Sequence, residues 1–373
     1  MSKPASFLQL FVFLGFIFGF LIFNIITPSK PYSPTENRFL TEFPDLNPKE
    51  LASGKFMSSF DSYASDQFAL RDSWTELKAR AELSTGKEEN KGVYLCDDER
   101  LISRFDQPDE VQVNINISAV NELSDKLDIP VHFTIVPGAV EIHKDMLPEN
   151  APGASQGELI QEMYNRSTAV PIDVYNGLAA HKSEYIFYRT DHHWTSLGAY
   201  YGYSTIINAL GYEPTPLSAF TPQIADTEFY GTAYSSSGFA WVAPDTIETF
   251  VTPPDDVNVT NYPEGKPVSG MLYDTSFLEE KDKYAMFMGG NTPLTEITTG
   301  KTDLPSILIV RDSYLDSMLP FLLEHFSEIY MIDTRYNKSS LEGYIQEKQP
   351  DSILICYSAA TFFTDANVFL ITQ

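Results

Sequence analysis

From Phe7 to Ile26 the chain reads FLQLFVFLGFIFGFLIFNII, an uncharged run in which only Gln9 and Asn24 are clearly polar. As a helix, a run of about 20 residues rises about 30 Å, the thickness of a bilayer's hydrocarbon core. It has no polar face, so it does not read as a helix flanking a soluble core. It exceeds the apolar region of about 7–15 residues in a cleavable signal peptide, and no A-x-A pattern follows it. The sequence therefore predicts an uncleaved signal anchor over residues 1–27, a single pass that holds the rest of the chain at the cell membrane. Lys3 and Lys30 lie on opposite sides of the run, so the positive-inside preference is nearly silent. The short N-terminal tail and the acidic bulk of the chain predict an extracytoplasmic domain that meets surface polymers. The formal net charge is −26, which excludes a nucleic-acid binder, because neutralising phosphates needs a basic footprint. The two cysteines, Cys96 and Cys356, exclude a disulfide-rich scaffold and a cysteine zinc cage, and leave one disulfide open.

After the anchor, PSKPYSP opens an extended linker over residues 28–48. Residues 49–373 read as one α/β domain. Gly92–Phe105 reads as a β-hairpin turning at Asp97-Asp98-Glu99. Pro130–Pro137, Ser306–Val310 and Ser352–Tyr357 are short, nearly continuous apolar runs, the pattern of parallel strands buried on both faces. Val111–Leu127, Ser155–Tyr164, Thr195–Leu210 and Leu315–Phe326 read as helices, and Ile329–Ile332 as a further strand. That alternation predicts a layered α/β fold. Residues 212–302 break the rhythm and read as an insertion of strands and loops lying over the core.

Two clusters could carry chemistry. The first is Tyr188–Ala199, which holds Asp191, His192, His193 and Trp194. In an extended segment, residues two apart share a face. Asp191 could then accept from one ring nitrogen of His193 and leave the other as a general base, with His192 pointing away. The competing reading is a helix N-terminus capped by Asp191. The second cluster is SILIVRDSY, Ser306–Tyr314, where a buried strand ends and Ser313 sits just before a helix. Sites in open α/β sheets form at the carboxyl ends of strands, and helix N-termini favour developing negative charge. Ser313 could be a nucleophile there, or an ordinary N-cap. Pro320 is expected to kink that helix or delay its start.

The TDHHWTSLGAYYGY run resembles the signature of the DHHW protein family. ENRFL, FDSYASDQFALRDSW, GVYLCDDERLI, KYAMFMGGN, VRDSY and HFSEIYMIDTRY resemble the same family in order, across nearly the whole chain after the anchor. That family in turn resembles the SGNH-hydrolase-like proteins of alginate O-acetylation. The resemblance implies an SGNH-hydrolase-like (flavodoxin-like) parallel sheet, and a catalytic triad of Ser313, His193 and Asp191. Trp194, Arg311, Tyr314, Asn291 and His192 would line the substrate site, with Arg311 pairing with an acidic sugar or with Asp312. SGNH enzymes take oxyanion donors from a Gly and an Asn after the serine. Here Gly289-Gly290-Asn291, before the serine, is the substitute, or simply a turn. Ser358 and Thr361 are further candidates for lining the site.

The expected function is therefore a membrane-anchored O-acetyltransferase acting on a cell-surface polysaccharide, or an acetylesterase. The transferase direction implies a membrane-bound O-acyltransferase (MBOAT) partner that delivers acetyl groups across the membrane. No cofactor and no metal are expected. Asp-His-His also occurs in DHH phosphoesterases, but their further ligand motifs are missing, and neighbouring histidines on a strand would face apart. The rival from another class is a polysaccharide-binding or assembly protein without turnover, with Trp194, Trp241 and the tyrosines stacking on sugar rings.

Overall fold

The apolar runs become strands where both of their faces find cover. In the computed structural model, residues 3–251 and 256–373 are described. Eight strands form the main sheet: β1 (Val131–Val136), β2 (Val170–Pro171), β3 (Asn258–Asn261), β4 (Val268–Ser269), β5 (Leu294–Thr298), β6 (Ser306–Arg311), β7 (Glu328–Ile332) and β8 (Ser352–Ser358). Their order is β4-β3-β5-β7-β6-β8-β1-β2. The five strands from β7 to β2 are mutually parallel, and β5, β3 and β4 extend the sheet antiparallel. Alternate residues serve opposite layers. Ile307, Ile309, Leu354 and Cys356 join one apolar cluster, and Leu308, Val310, Ile353 and Ile355 join the other.

The chain divides into two compact units: Met1–Asn90 with Tyr234–Trp241, and Lys91–Ala233 with Val242–Gln373. The smaller contains three long helices, α1 (Lys3–Ile26), α2 (Lys55–Asp66) and α3 (Arg71–Ser84). In α1, Phe7–Ile26 is long and apolar enough to cross a membrane. The larger unit adds α4 (Glu110–Lys126), α5 (Gln156–Arg166), α6 (Ser196–Ala209), α7 (Tyr314–Leu322), α8 (Leu341–Lys348) and α9 (Ala359–Thr364). Tyr203, Ile206 and Ile207 of α6 and Leu315, Met318 and Leu319 of α7 pack on the first sheet face. Helices α4, α5, α8 and α9 pack on the second. Val93–Leu95 and Leu101–Ser103 pair antiparallel as the hairpin read from the sequence.

One expectation is corrected. A flavodoxin-like sheet runs 2-1-3-4-5. Here β8, the last of the parallel strands in sequence, separates β1 from β6. Its burial on both faces suits the middle of the sheet, and hydropathy alone does not say which strands are neighbours. The segment 212–302 contributes to several parts of the fold. Three of its strands widen the sheet, Gln223–Phe229 pairs with Asp245–Thr249 separately, and residues 234–241 belong to the smaller unit. Residues 252–255 of that segment lie outside the described residues. The sequence reading starts the α/β domain at residue 49, whereas the larger unit starts at Lys91. Pro320 falls inside α7, which begins directly after Ser313 and ends two residues beyond the proline.

Candidate active site

Two loops meet at the carboxyl end of β6. The first is a bend, residues 189–193, closed by an antiparallel bridge between Phe187 and Trp194. Asp245, fully buried, holds it from below. Its carboxylate accepts from the backbone N–H of Arg189 (2.9 Å) and Thr190 (2.7 Å) and from the Thr190 hydroxyl (2.5 Å). Thr195, not Asp191, caps the following helix, accepting from the Gly198 N–H at 3.2 Å. Asp191 is thereby left for other partners. Its Oδ1 accepts from the His193 backbone N–H (3.0 Å) and lies 2.6 Å from His193 Nδ1. Its Oδ2 accepts from the Thr232 N–H (2.7 Å) and hydroxyl (3.0 Å). The residue before Thr232 must be glycine: a Cβ at Gly231 would stand 2.2 Å from the Asp191 Cβ.

The second loop carries Ser313. It occupies the N-cap position of α7 but caps nothing with its side chain. Its Oγ lies 2.8 Å from His193 Nε2, so Asp191, His193 and Ser313 form one continuous hydrogen-bonded chain. Asp312 ties down the turn, accepting from the Tyr314 N–H at 3.0 Å and from the Ser358 N–H and hydroxyl at 2.9 and 2.6 Å. Ser358 and Thr361, at the start of α9, therefore brace this turn from β8. The two loops are also cross-linked directly. Trp194 Nε1 donates to the Tyr314 carbonyl (2.8 Å), and the Tyr314 hydroxyl donates to the His192 carbonyl.

The His193 ring is sandwiched. Tyr284 stacks on it at 3.7 Å with an interplanar angle of 8°, and His192 lies 3.8 Å away at 39°. The Tyr284 hydroxyl donates to the Ser313 carbonyl at 3.1 Å, joining this tyrosine to both loops. Burial pushes the His193 imidazole down to about 4, reinforced by His192 and opposed by Asp191. Partial desolvation disfavours a charged His192, but its side chain is 41 % exposed, so the Asp191 carboxylate outweighs that effect and raises the pKa. Against burial, the two histidines hold the Asp191 carboxyl well below the usual carboxylate range. An ionised Asp191 therefore faces a neutral His193, whose Nε2 can accept a proton from a hydroxyl at Ser313.

Other sequence candidates fall elsewhere. His192 does not point away from His193, because the segment is bent and not extended; its Nδ1 instead donates to the Thr232 hydroxyl at 2.7 Å. Trp194 is fully buried, so it stacks on no sugar and serves as a cross-link. Arg311 is also buried, with Asp316 at 3.0 Å and Asp333 at 3.7 Å, which removes it as a partner for an acidic sugar. Tyr314 is 4 % exposed and braces the site from within. Asn291 is exposed and turns its amide oxygen toward Arg311 and Arg335 at 3.5 and 3.4 Å. It follows three left-handed residues, Met288, Gly289 and Gly290, so the Gly-Gly-Asn segment forms a turn. Trp241 lies under the Arg80 guanidinium, 4.0 Å from its ring centroid. Cys96 and Cys356 are both free thiols.

The bend also gathers the donor atoms of Asp191, His192 and His193 within 4.8 Å of one another. The argument that adjacent histidines face apart therefore does not hold here. Both carboxylate oxygens and both nitrogens of His193 nevertheless have hydrogen-bond partners already. Sequence reading overlooked Tyr284, Thr232, Gly231 and Asp245. Tyr284 sits within KYAMFMGGN, where no local pattern sets it apart from the chain's other tyrosines.

Fold and site together define an α/β protein with a Ser–His–Asp hydrogen-bond chain at the carboxyl edge of a mostly parallel sheet. More narrowly, the chain belongs to the DHHW family: the family model described as "DHHW protein" matches residues 107–332. Among curated proteins, it is similar to the probable alginate O-acetylase AlgJ of Pseudomonas syringae pv. tomato. The identity is 26% over 157 residues, 39% of this chain and 40% of AlgJ. The AlgJ of Pseudomonas aeruginosa is 24% identical over 173 residues, 44% of this chain and 43% of that protein. The chain thus spans about two fifths of the length of these relatives. A crystal structure of a DHHW family protein from Eubacterium siraeum superposes with a TM-score of 0.66 at 26% identity, covering 76% of this chain and 97% of that one. Bacillus cereus PatB1, solved with a sulfonyl adduct, shares the fold at TM-score 0.62 and 18% identity, over 75% of this chain and 98% of its own.

Proposed function

We propose that this chain is an SGNH-like O-acetyltransferase, anchored by α1 with its larger unit outside the cytoplasm, that acetylates a cell-surface polysaccharide. The observation that carries the reading is the placement of Ser313 Oγ 2.8 Å from His193 Nε2 with Asp191 on Nδ1. In this reading, His193 takes the Ser313 proton as Oγ attacks the acetyl carbonyl of a donor. The donor's leaving group departs with the proton from His193, and the acetyl group remains as a serine ester. A sugar hydroxyl then attacks that ester and gives its proton to His193. Ser313 leaves and is reprotonated. Asp191 orients the imidazole and stabilises its charged form. The names of the alginate O-acetylase relatives support a polysaccharide acceptor. An MBOAT-type membrane protein is the proposed source of the acetyl group. Hydrolysis is the second reading, since water can replace the sugar hydroxyl at the same base.

The test is incubation of the full chain with an activated acetyl ester, followed by mass analysis of the peptide containing Ser313. One acetyl group on Ser313 is expected, absent from Ser313→Ala and transferred onward to added polysaccharide. An unmodified Ser313, or the same modification at another residue in Ser313→Ala, rejects the covalent route. A chain that binds polysaccharide equally well with and without Ser313, and never acetylates it, is a binding module.

A further inference from the structure

We infer that the lipid bilayer receives more of this chain than α1: the residues of α2, α3 and the turn between them that border α1 form an apolar shoulder that sits within the outer part of the membrane. The inference rests on the reading of α1 as a membrane span. Phe20 of α1 packs against Phe68 (ring centroids 6.0 Å, nearly parallel) and Trp74 (5.7 Å). The Asn24 side chain, near the end of the span, accepts from the Ala69 N–H at 2.8 Å. Phe20 precedes the end of the apolar run by six residues, about 9 Å along the helix axis. Phe68 and Trp74 therefore stand beside the span well inside its apolar stretch.

The length of the run decides the outcome. If the bilayer stopped short of Phe20, only Phe7–Gly19 would remain to cross it. Thirteen residues rise about 20 Å, against a core of about 30 Å. A bilayer that holds the whole span must also hold the side chains packed on it. The surface around them is made for that. A groove of about 980 Å³ runs along α1, lined by Phe16, Phe20, Phe43, Phe60, Phe68 and Trp74. Beyond it, Met57, Leu70 and Leu77 are more than half exposed, at 55, 57 and 55 %. Four charges near the groove, Glu36, Arg38, Asp66 and Arg71, form one network of ion pairs. Arg38 contacts Glu36 at 2.8 Å and Asp66 at 2.5 Å, and Arg71 contacts Glu36 at 2.9 Å. Lipid acyl chains already cover an exposed apolar α1 in this reading, and the same chains continue into the groove.

Trp74 provides the probe. The full chain is placed in phosphatidylcholine vesicles whose acyl chains carry bromine, a contact quencher of tryptophan emission. Wild-type emission should be quenched, and most of that quenching should disappear in Trp74→Phe, which keeps an aromatic ring against Phe20. Iodide in the water should quench Trp74 no better with vesicles than without. If Trp74→Phe is quenched as strongly as the wild type while the protein resists carbonate washing, α1 spans alone and the shoulder is outside the lipid. If carbonate releases an unquenched protein, the span reading falls and the shoulder with it.

Discussion

His193 is poised by what touches it on each side, and its sandwich makes a pH prediction. As a base it must be neutral, and burial, with the neighbouring His192 adding to the effect, lowers its pKa to about 4. Acetyl transfer should therefore persist as pH falls through 6.5, where an unperturbed histidine would already be protonated. In His192→Ala the neighbour that helps to lower the His193 pKa is gone, and that pKa rises. The acid limb of kcat/KM against pH should then move to higher pH; an unmoved limb would show that His192 does not act on His193. Gly231 gives a second test. A methyl group there collides with the Asp191 carboxylate at 2.3 Å, so Gly231→Ala must displace the residue that orients the base. A loss on the order of a hundredfold in kcat is expected, with a near-normal urea unfolding midpoint. Asp191→Asn should cost on the order of 10⁴-fold by favouring the wrong imidazole tautomer. Both effects are read from turnover of the activated ester.

Among the elements, the turn from β6 into α7 shows how much of the site was legible. The buried strand and the serine after it were readable, because SILIV is apolar on both faces and ends in polar residues. Whether that serine capped the helix was not readable, since Ser at an N-cap has the same sequence context in either role. In the structure the backbone carbonyls of Asp312 and Ser313 take the Leu315 and Asp316 N–H groups, which leaves the Ser313 hydroxyl to meet His193. The partner of Asp312 is Ser358, 46 residues away, and no local pattern reveals it. The same holds for Asp191, whose two-residue spacing to His193 was legible while its clamp at Thr232 was not. Extended geometry was the wrong premise for His192, because buried Asp245 bends the segment through hydrogen bonds that hydropathy does not encode. Asp312→Ala should therefore lower the rate of Ser313 acetylation more than it lowers secondary-structure content by circular dichroism. Equal losses would make the turn a folding element only.

Over the whole molecule, the long apolar helix α1 was plain in the sequence, but the chain around it was not. Residues 28–90 had read partly as a linker and partly as the start of the α/β domain. They instead cluster with α1 and with Tyr234–Trp241 in one unit. Deleting α1 alone uncovers Phe68 and Trp74 without removing them. A chain starting near Ser29 should therefore still float with vesicles or require detergent; a monodisperse, detergent-free protein would contradict this.

The position of β8 has a further consequence for when the protein becomes competent. It is synthesised after every other strand of the sheet, yet it lies between β6 and β1. Until it emerges, β1 and β2 have no edge to join to β6 and β7, and the Asp312 carboxylate lacks its Ser358 partners. A nascent chain that has not yet reached residue 352 thus carries Asp191, His193 and Ser313 but not the strand that joins the two halves of the sheet. Pairing β8 with β1 and β6 is a long-range closure, the kind of step that slows folding. A chain truncated before residue 352 should not turn over an activated acetyl ester, even with all three side chains present.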